Sequence, residues 1–197
     1  MFNCISCGWL MARARNLEDE LTMVFALVIQ AIARGNIKPP SPGMGLSCVA
    51  FTELLDNYFP GASCEIVDDR FRESYSTADL LASEFEDIVE ILLDHRSCDD
   101  RNVEWLAYAV ASGCMGSDHL YHDMGLPNRQ ALSALLERHF TALYLKNVHN
   151  MKWKKFFYKQ LCDRAEIIMC PARNCQSCID YKNCFATEEM VAETAVD

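Results

Sequence analysis

Asn16-Leu-Glu-Asp-Glu-Leu-Thr-Met-Val-Phe-Ala-Leu-Val-Ile-Gln-Ala-Ile-Ala-Arg-Gly35 reads as one uninterrupted helix. Asn16 suits an N-cap, and Glu18, Asp19 and Glu20 place negative charge in the first turn, where the helix dipole favours it. Gly35 suits the residue just past the C-terminus. Residues Leu21–Ala33 are apolar nearly all round, which marks a central core helix rather than a surface one. With Thr22 and Gln30 inside it, the stretch is too short to span a bilayer, which takes about 20 residues.

Helical periodicity continues outward from this segment. Lys38-Pro39-Pro40-Ser41-Pro42-Gly43 is a turn. Ser47 opens a second helix to about Tyr58, closed by Pro60-Gly61. Residues 62–75 read as an irregular acidic loop. Ser76 or Thr77 starts a third helix with Leu81, Phe85, Ile88 and Leu92 as its apolar stripe. A fourth covers about 101–112, capped by Asp99 or Asp100, and Gly113 and Gly116 bracket a break at Cys114. A helical turn at 118–124 ends at Gly125, Asn128 starts a helix to about Arg138, and a last helix covers about 147–164. No alternating strand pattern and no internal repeat occur. The expectation is an all-α fold of six to seven helices in one domain over 16–166. It is preceded by an N-terminal extension, 1–15, and followed by a Cys-rich loop, 167–189, and a tail, 190–197.

The 197 residues are 51% hydrophobic and 23% charged, with a net charge of −10. That balance suits a globular chain and argues against nucleic acid or an anionic membrane as partner, which need an excess of Lys and Arg. Between Cys64 and Asp100, twelve acids against three arginines leave a net −9, which reads as a solvated face. The start, Met1-Phe-Asn-Cys-Ile-Ser-Cys-Gly-Trp-Leu10, does not read as a signal peptide, and the chain is expected in the cytoplasm. Eleven cysteines are many for such a compartment, and an odd number cannot be fully paired within one chain.

Four of those thiols sit in Cys170-Pro-Ala-Arg-Asn-Cys175-Gln-Ser-Cys178-Ile-Asp-Tyr-Lys-Asn-Cys184, a C-x4-C-x2-C-x5-C run with few apolar residues between them. A loop of this composition needs something to wrap around. Thiolates are soft ligands for zinc, copper(I) or iron–sulfur clusters, and cuboidal clusters draw three or four from one short irregular loop. Zinc competes with this, although four-Cys zinc sites commonly use two C-x2-C pairs about 15–20 residues apart. Disulfides compete too, but fit a reducing compartment poorly.

Just before this run, Lys146, Lys152, Lys154, Lys155 and Lys159 are five of the seven lysines in the chain. On a helix Lys152, Lys155 and Lys159 share one face, and Trp153, Phe156, Phe157 and Leu161 another. Lys152, Lys154, Lys155 and Lys159 form a candidate patch for an anion or an acidic partner. Cys114-Met-Gly-Ser-Asp-His119-Leu-Tyr-His122-Asp-Met-Gly125 spaces two imidazoles at i, i+3, within reach of one metal. Cys4 and Cys7 form a lone C-x2-C pair. Cys48, Cys64, Cys98 and Cys162 are isolated and read as buried, inert thiols. The common hydrolase and nucleotide-binding motifs are missing.

Three ordered blocks resemble one family: the Cys170–Cys184 run, Met151-Lys-Trp-Lys-Lys-Phe-Phe-Tyr-Lys-Gln-Leu-Cys162, and His119-Leu-Tyr-His-Asp123-Met-Gly125-Leu. Ser83-Glu-Phe-Glu-Asp-Ile-Val89 and Tyr58-Phe-Pro-Gly61 are also similar. The combination, over about 17–189, resembles the NifQ family of nitrogen-fixation proteins. Tyr121 stands where the family commonly has Trp, and His122 and the Cys4/Cys7 pair lie outside its pattern. The resemblance implies a carrier without turnover chemistry that binds molybdenum in an iron–sulfur cluster of 3Fe-4S or 4Fe-4S type. It implies Cys170, Cys175, Cys178 and Cys184 as ligands, with His119 as a further candidate. The partners implied are a molybdenum source such as molybdate, the nitrogenase cofactor scaffold complex and the nitrogenase iron protein. A zinc-stabilised interaction module and a small iron–sulfur electron carrier are the competing functions.

Overall fold

The apolar stretch forms helix α2, Glu20–Ala33, in the computed structural model, which describes residues 5–68, 71, 82–165 and 181–185. Phe25, Ala26 and Val28 are completely buried, as its all-round apolarity requires. The helix begins four residues later than its first candidate cap. Asp19 accepts the N–H of Leu21 at 3.0 Å and acts as cap, while Asn16 accepts from Glu18 at 3.0 Å and caps only a turn. Gly35 takes the left-handed conformation expected of it, with φ of 75°.

Eleven helices and no strand occur among the described residues. Around α2 stand α1 (Cys7–Met11), α3 (Cys48–Tyr58), α4 (Ala62–Ile66), α5 (Ala82–Asp94) and α6 (Arg101–Cys114). Then follow α7 (Leu120–Asp123), α8 (Arg129–His139), α9 (Thr141–Lys146), α10 (Trp153–Arg164) and α11 (Tyr181–Phe185). The long helices match the sequence periodicity and carry the expected caps. Ser47 accepts from Ala50 at 3.2 Å, Asp100 from Asn102 at 2.7 Å and Asn128 from Ala131 at 2.9 Å.

The expected number of six or seven helices is exceeded by short helices that the sequence periodicity does not announce. The segment read as an N-terminal extension contains α1, whose Leu10 is fully buried and whose Cys7 N–H donates to Gln30 Oε1 of α2 at 2.8 Å. Helix α4 occupies the start of the segment read as an irregular loop. The chain enters it through Gly61 at φ of 83°, where a side chain would be strained. Helix α6 runs through Gly113 to Cys114 rather than breaking there. A Cβ on Gly113 would lie 2.5 Å from Met124 Cγ, so this glycine serves close packing and not termination. The last long helix starts at Trp153, not 147. Asn147 and Met151 bind each other twice, Asn147 Nδ2 donating to Met151 O at 2.9 Å and Met151 N–H to Asn147 Oδ1 at 2.8 Å, and Asn150 turns the chain at φ of 54°.

The core is one continuous cluster. Helix α2 packs on α1 and on α6, α6 also packs on α5, and α10 covers α5. Tyr58 of α3 links the layers. Its ring lies edge-on to Phe25 at 4.8 Å and to Trp105 at 6.1 Å, and its hydroxyl donates to Asn102 Oδ1 at 2.8 Å. The proposed start of α5 at Ser76 or Thr77 lies outside the described residues. No described helix is long and apolar enough to cross a membrane.

Candidate functional site

Beyond Cys114 the chain turns sharply through Gly116 and Asp118 into the single turn α7. Gly125 ends it in a left-handed conformation, φ 74°, with its N–H donated to His122 O at 2.9 Å. Asp123, on α7, is only 7% exposed. A buried carboxylate is costly unless its oxygens are filled. Here Oδ2 accepts the N–H of Asp118 at 2.9 Å and the ammonium group of Lys154. Lys154 Nζ also donates to Gly116 O at 2.8 Å. Gly116 has no room for a side chain, since a Cβ would lie 2.3 Å from Asp123 Cγ. Glycine is thus required by contact, and the ion pair joins α7 to α10.

Trp153, Phe156 and Phe157 anchor α10 in the core, as their spacing predicts, and Trp153 Nε1 donates to Ser133 Oγ at 3.1 Å. The lysines do not form one patch. Lys154 turns inward to Asp123, and Lys159 pairs with Asp163 on its own helix. Lys152 and Lys155 remain beside Lys154 at the N-terminus of α10.

The Cys-rich run returns to this place. In the short helix α11, the carbonyl of Cys184 accepts the N–H of Lys152 at 2.9 Å. Cys184 is partly buried and packs against the core. A cavity of about 340 Å³ opens between α7, α10 and α11, lined by His119, Tyr121, Lys152, Lys154, Lys155 and Asn183 among others. The His119 and Tyr121 rings lie parallel, 6.0 Å apart. Blocks separated by tens of residues in sequence therefore meet at one cavity.

His122 is exposed, and its Nδ1 faces Asp118 Oδ2 at 2.9 Å. Among the described residues no three His, Cys, Asp or Glu side chains are placed to hold a metal. Cys170, Cys175 and Cys178, like Cys4, lie outside the described residues.

The remaining thiols divide by environment. Cys114 is buried at the end of α6, and burial pushes its thiol up to about 12, outweighing the nearby Lys154 ammonium. Cys7 is also raised by burial, and its Sγ lies 3.8 Å from Met23 Sδ. Cys64 and Cys98 are exposed rather than core thiols, while Cys48 and Cys162 are half-buried. Sequence reasoning missed Asp123 and Asn183 as parts of the site. An acid placed among the apolar residues Leu120, Met124 and Leu126, seven positions after a glycine, was the available signal for Asp123.

Comparison with known proteins agrees with the order of these blocks. The family model described as NifQ matches residues 24–186. The chain is similar to "Protein NifQ" of Azotobacter vinelandii, 38% identical over 160 residues, covering 73% of this chain and 82% of that one. "Protein NifQ" of Rhodobacter capsulatus is 29% identical over 170 residues, 86% of this chain and 90% of its own length. A "Protein NifQ homolog" of Sinorhizobium fredii is 32% identical over 145 residues, 74% of this chain and 61% of its own. No solved structure matches the chain. With a family match that spans the core, the His119 turn, the lysine helix and Cys184, the chain belongs to the NifQ family of nitrogen-fixation proteins.

Proposed function

We propose that this protein is a cytoplasmic metallochaperone. It carries molybdenum within an iron–sulfur cluster and donates it for building the iron–molybdenum cofactor of nitrogenase. The cluster is cargo, and the protein has no turnover chemistry of its own. Cys170, Cys175, Cys178 and Cys184 are the proposed ligands. The recipient is the cofactor scaffold complex acting with the nitrogenase iron protein.

One observation carries this reading. The hydrogen bond from Lys152 N–H to the Cys184 carbonyl, 2.9 Å, fixes the last cysteine of the run beside the lysine-lined cavity that also contains His119. The donor chemistry fits the cargo. Thiolates are soft ligands for iron, and a cluster held by three or four of them is anionic, so nearby ammonium groups favour the loaded state. His119, at the cavity wall, is the candidate for a weaker ligand that permits release.

The test is anaerobic purification from cells supplied with molybdate, followed by quantification of iron, molybdenum, zinc and sulfide. The expected result is a brown protein with iron, sulfide and molybdenum, and loss of metal on substituting any of Cys170, Cys175, Cys178 or Cys184 by Ala. A colourless protein with zinc would replace the reading by an interaction module. Iron without molybdenum would make it an electron carrier.

A further inference from the structure

We propose that the cavity between α7, α10 and α11 receives a doubly charged tetrahedral oxyanion of the molybdate and sulfate class, separately from the cluster ligands. The proposal deepens the carrier reading and rests on it for the choice of molybdate among such anions. Three independent features of the cavity agree.

The first is its charge. Three lysines line it, but Lys154 is neutralised by Asp123. No carboxylate of the described residues pairs with the ammonium group of Lys152 or Lys155. The one carboxylate in the lining, Asp118, is engaged, accepting the His119 N–H at 2.7 Å and facing His122 Nδ1 at 2.9 Å. Against the single charge of Asp118, the ammonium groups of Lys152 and Lys155 leave the lining net positive among the described residues, which favours an anion.

The second is the backbone. Helix α10 has twelve residues, and no side chain caps its N-terminus. The N–H groups of Trp153, Lys154 and Lys155 belong to its first turn and have no acceptor within the helix. All three residues line the cavity. First-turn N–H groups and the positive end of the helix dipole together favour an anion.

The third is the wall of polar groups. Asn183 and Ser117 line the cavity beside His119. Amide, hydroxyl and imidazole groups are suited to the oxygens of an oxyanion. A volume of about 340 Å³ fits a small ion with bridging water. Asn183 immediately precedes Cys184, so an anion held here would wait next to a proposed cluster ligand.

The deciding experiment is equilibrium dialysis of the full-length protein against molybdate, with sulfate and phosphate as competitors. It is run on the wild type and on a variant with Cys170, Cys175, Cys178 and Cys184 all changed to Ser. We expect saturable molybdate binding by both, because the cavity does not need the cluster. Lys152→Ala and Lys155→Ala should each weaken it about tenfold, as for loss of a charge-assisted hydrogen bond. Lys152→Arg should retain most of the affinity, and Lys146→Ala, outside the cavity, should leave it unchanged. Competition by sulfate supports the assigned anion class. Binding that vanishes in the four-cysteine variant, or that survives unaltered in the Lys152→Ala/Lys155→Ala double variant, overturns the proposal. Intact molybdate binding in a wild type that never acquires iron would refute the cluster carrier while leaving the cavity assignment standing.

Discussion

The crossing of α2 and α6 and the junction of α7 with α10 and α11 are built on opposite principles. At the crossing, Phe25, Val28, Leu106 and Val110 are fully buried and stability comes from removing apolar surface from water. At the junction, a buried carboxylate, an ammonium group and a backbone carbonyl satisfy one another, and a missing partner is penalised more than a missing contact. The first region tolerates any residue of the right shape. The second specifies chemistry, because each polar partner must be present for the others to be satisfied.

The sharpest way to probe the crossing is Phe25→Ala. We expect a loss of about 4 kcal/mol in chemical denaturation, through lost transfer energy and the cavity left behind. At the junction, Asp123→Ala should cost about 3 kcal/mol because it strands the Lys154 ammonium. The comparison breaks if the double change Asp123→Leu, Lys154→Met is as damaging as the single one. Restoring most of the loss is the expected outcome, since a buried ion pair and a well-packed apolar pair of similar volume are close in stability. Gly116→Ala should follow at about 2 kcal/mol by overpacking against Asp123, measured as a shift in denaturation midpoint.

The smallest expected effect concerns reactivity, not stability. With its thiol pushed up to about 12, Cys114 should ignore a thiol reagent at about pH 8, where roughly one molecule in ten thousand is thiolate. Exposed Cys64 and Cys98 should react first. Mass spectrometry after timed labelling reads this directly. Labelling of Cys114 without unfolding would show that the end of α6 opens in the native state.

Long-range architecture was legible where one segment carries its own instructions. Ser47, Asp100 and Asn128 announced their helices because a cap is a local hydrogen bond. The single turns α1, α4, α7 and α9 are held by distant partners, so only α7, marked by Gly125, was placed. Gly113 misled because the reason for it is Met124 on another element, not the local backbone. The candidate site was legible as three separate blocks. Their meeting was not, since it depends on Lys152 donating to Cys184 across the fold and on Lys154 leaving the lysine patch to neutralise Asp123.

The hydrogen bond at Cys184 has an entropic consequence. At the other end of the segment, Arg164 donates to Glu90 Oε1 and Asp94 Oδ2 of α5, both at 3.0 Å. Residues 166–180, with Cys170, Cys175 and Cys178, thus connect two points already tied to the folded body. Closing a chain segment of that length costs about 3 kcal/mol. On the carrier reading proposed above, folding meets that cost before any metal arrives, and each iron bound is opposed by less chain entropy.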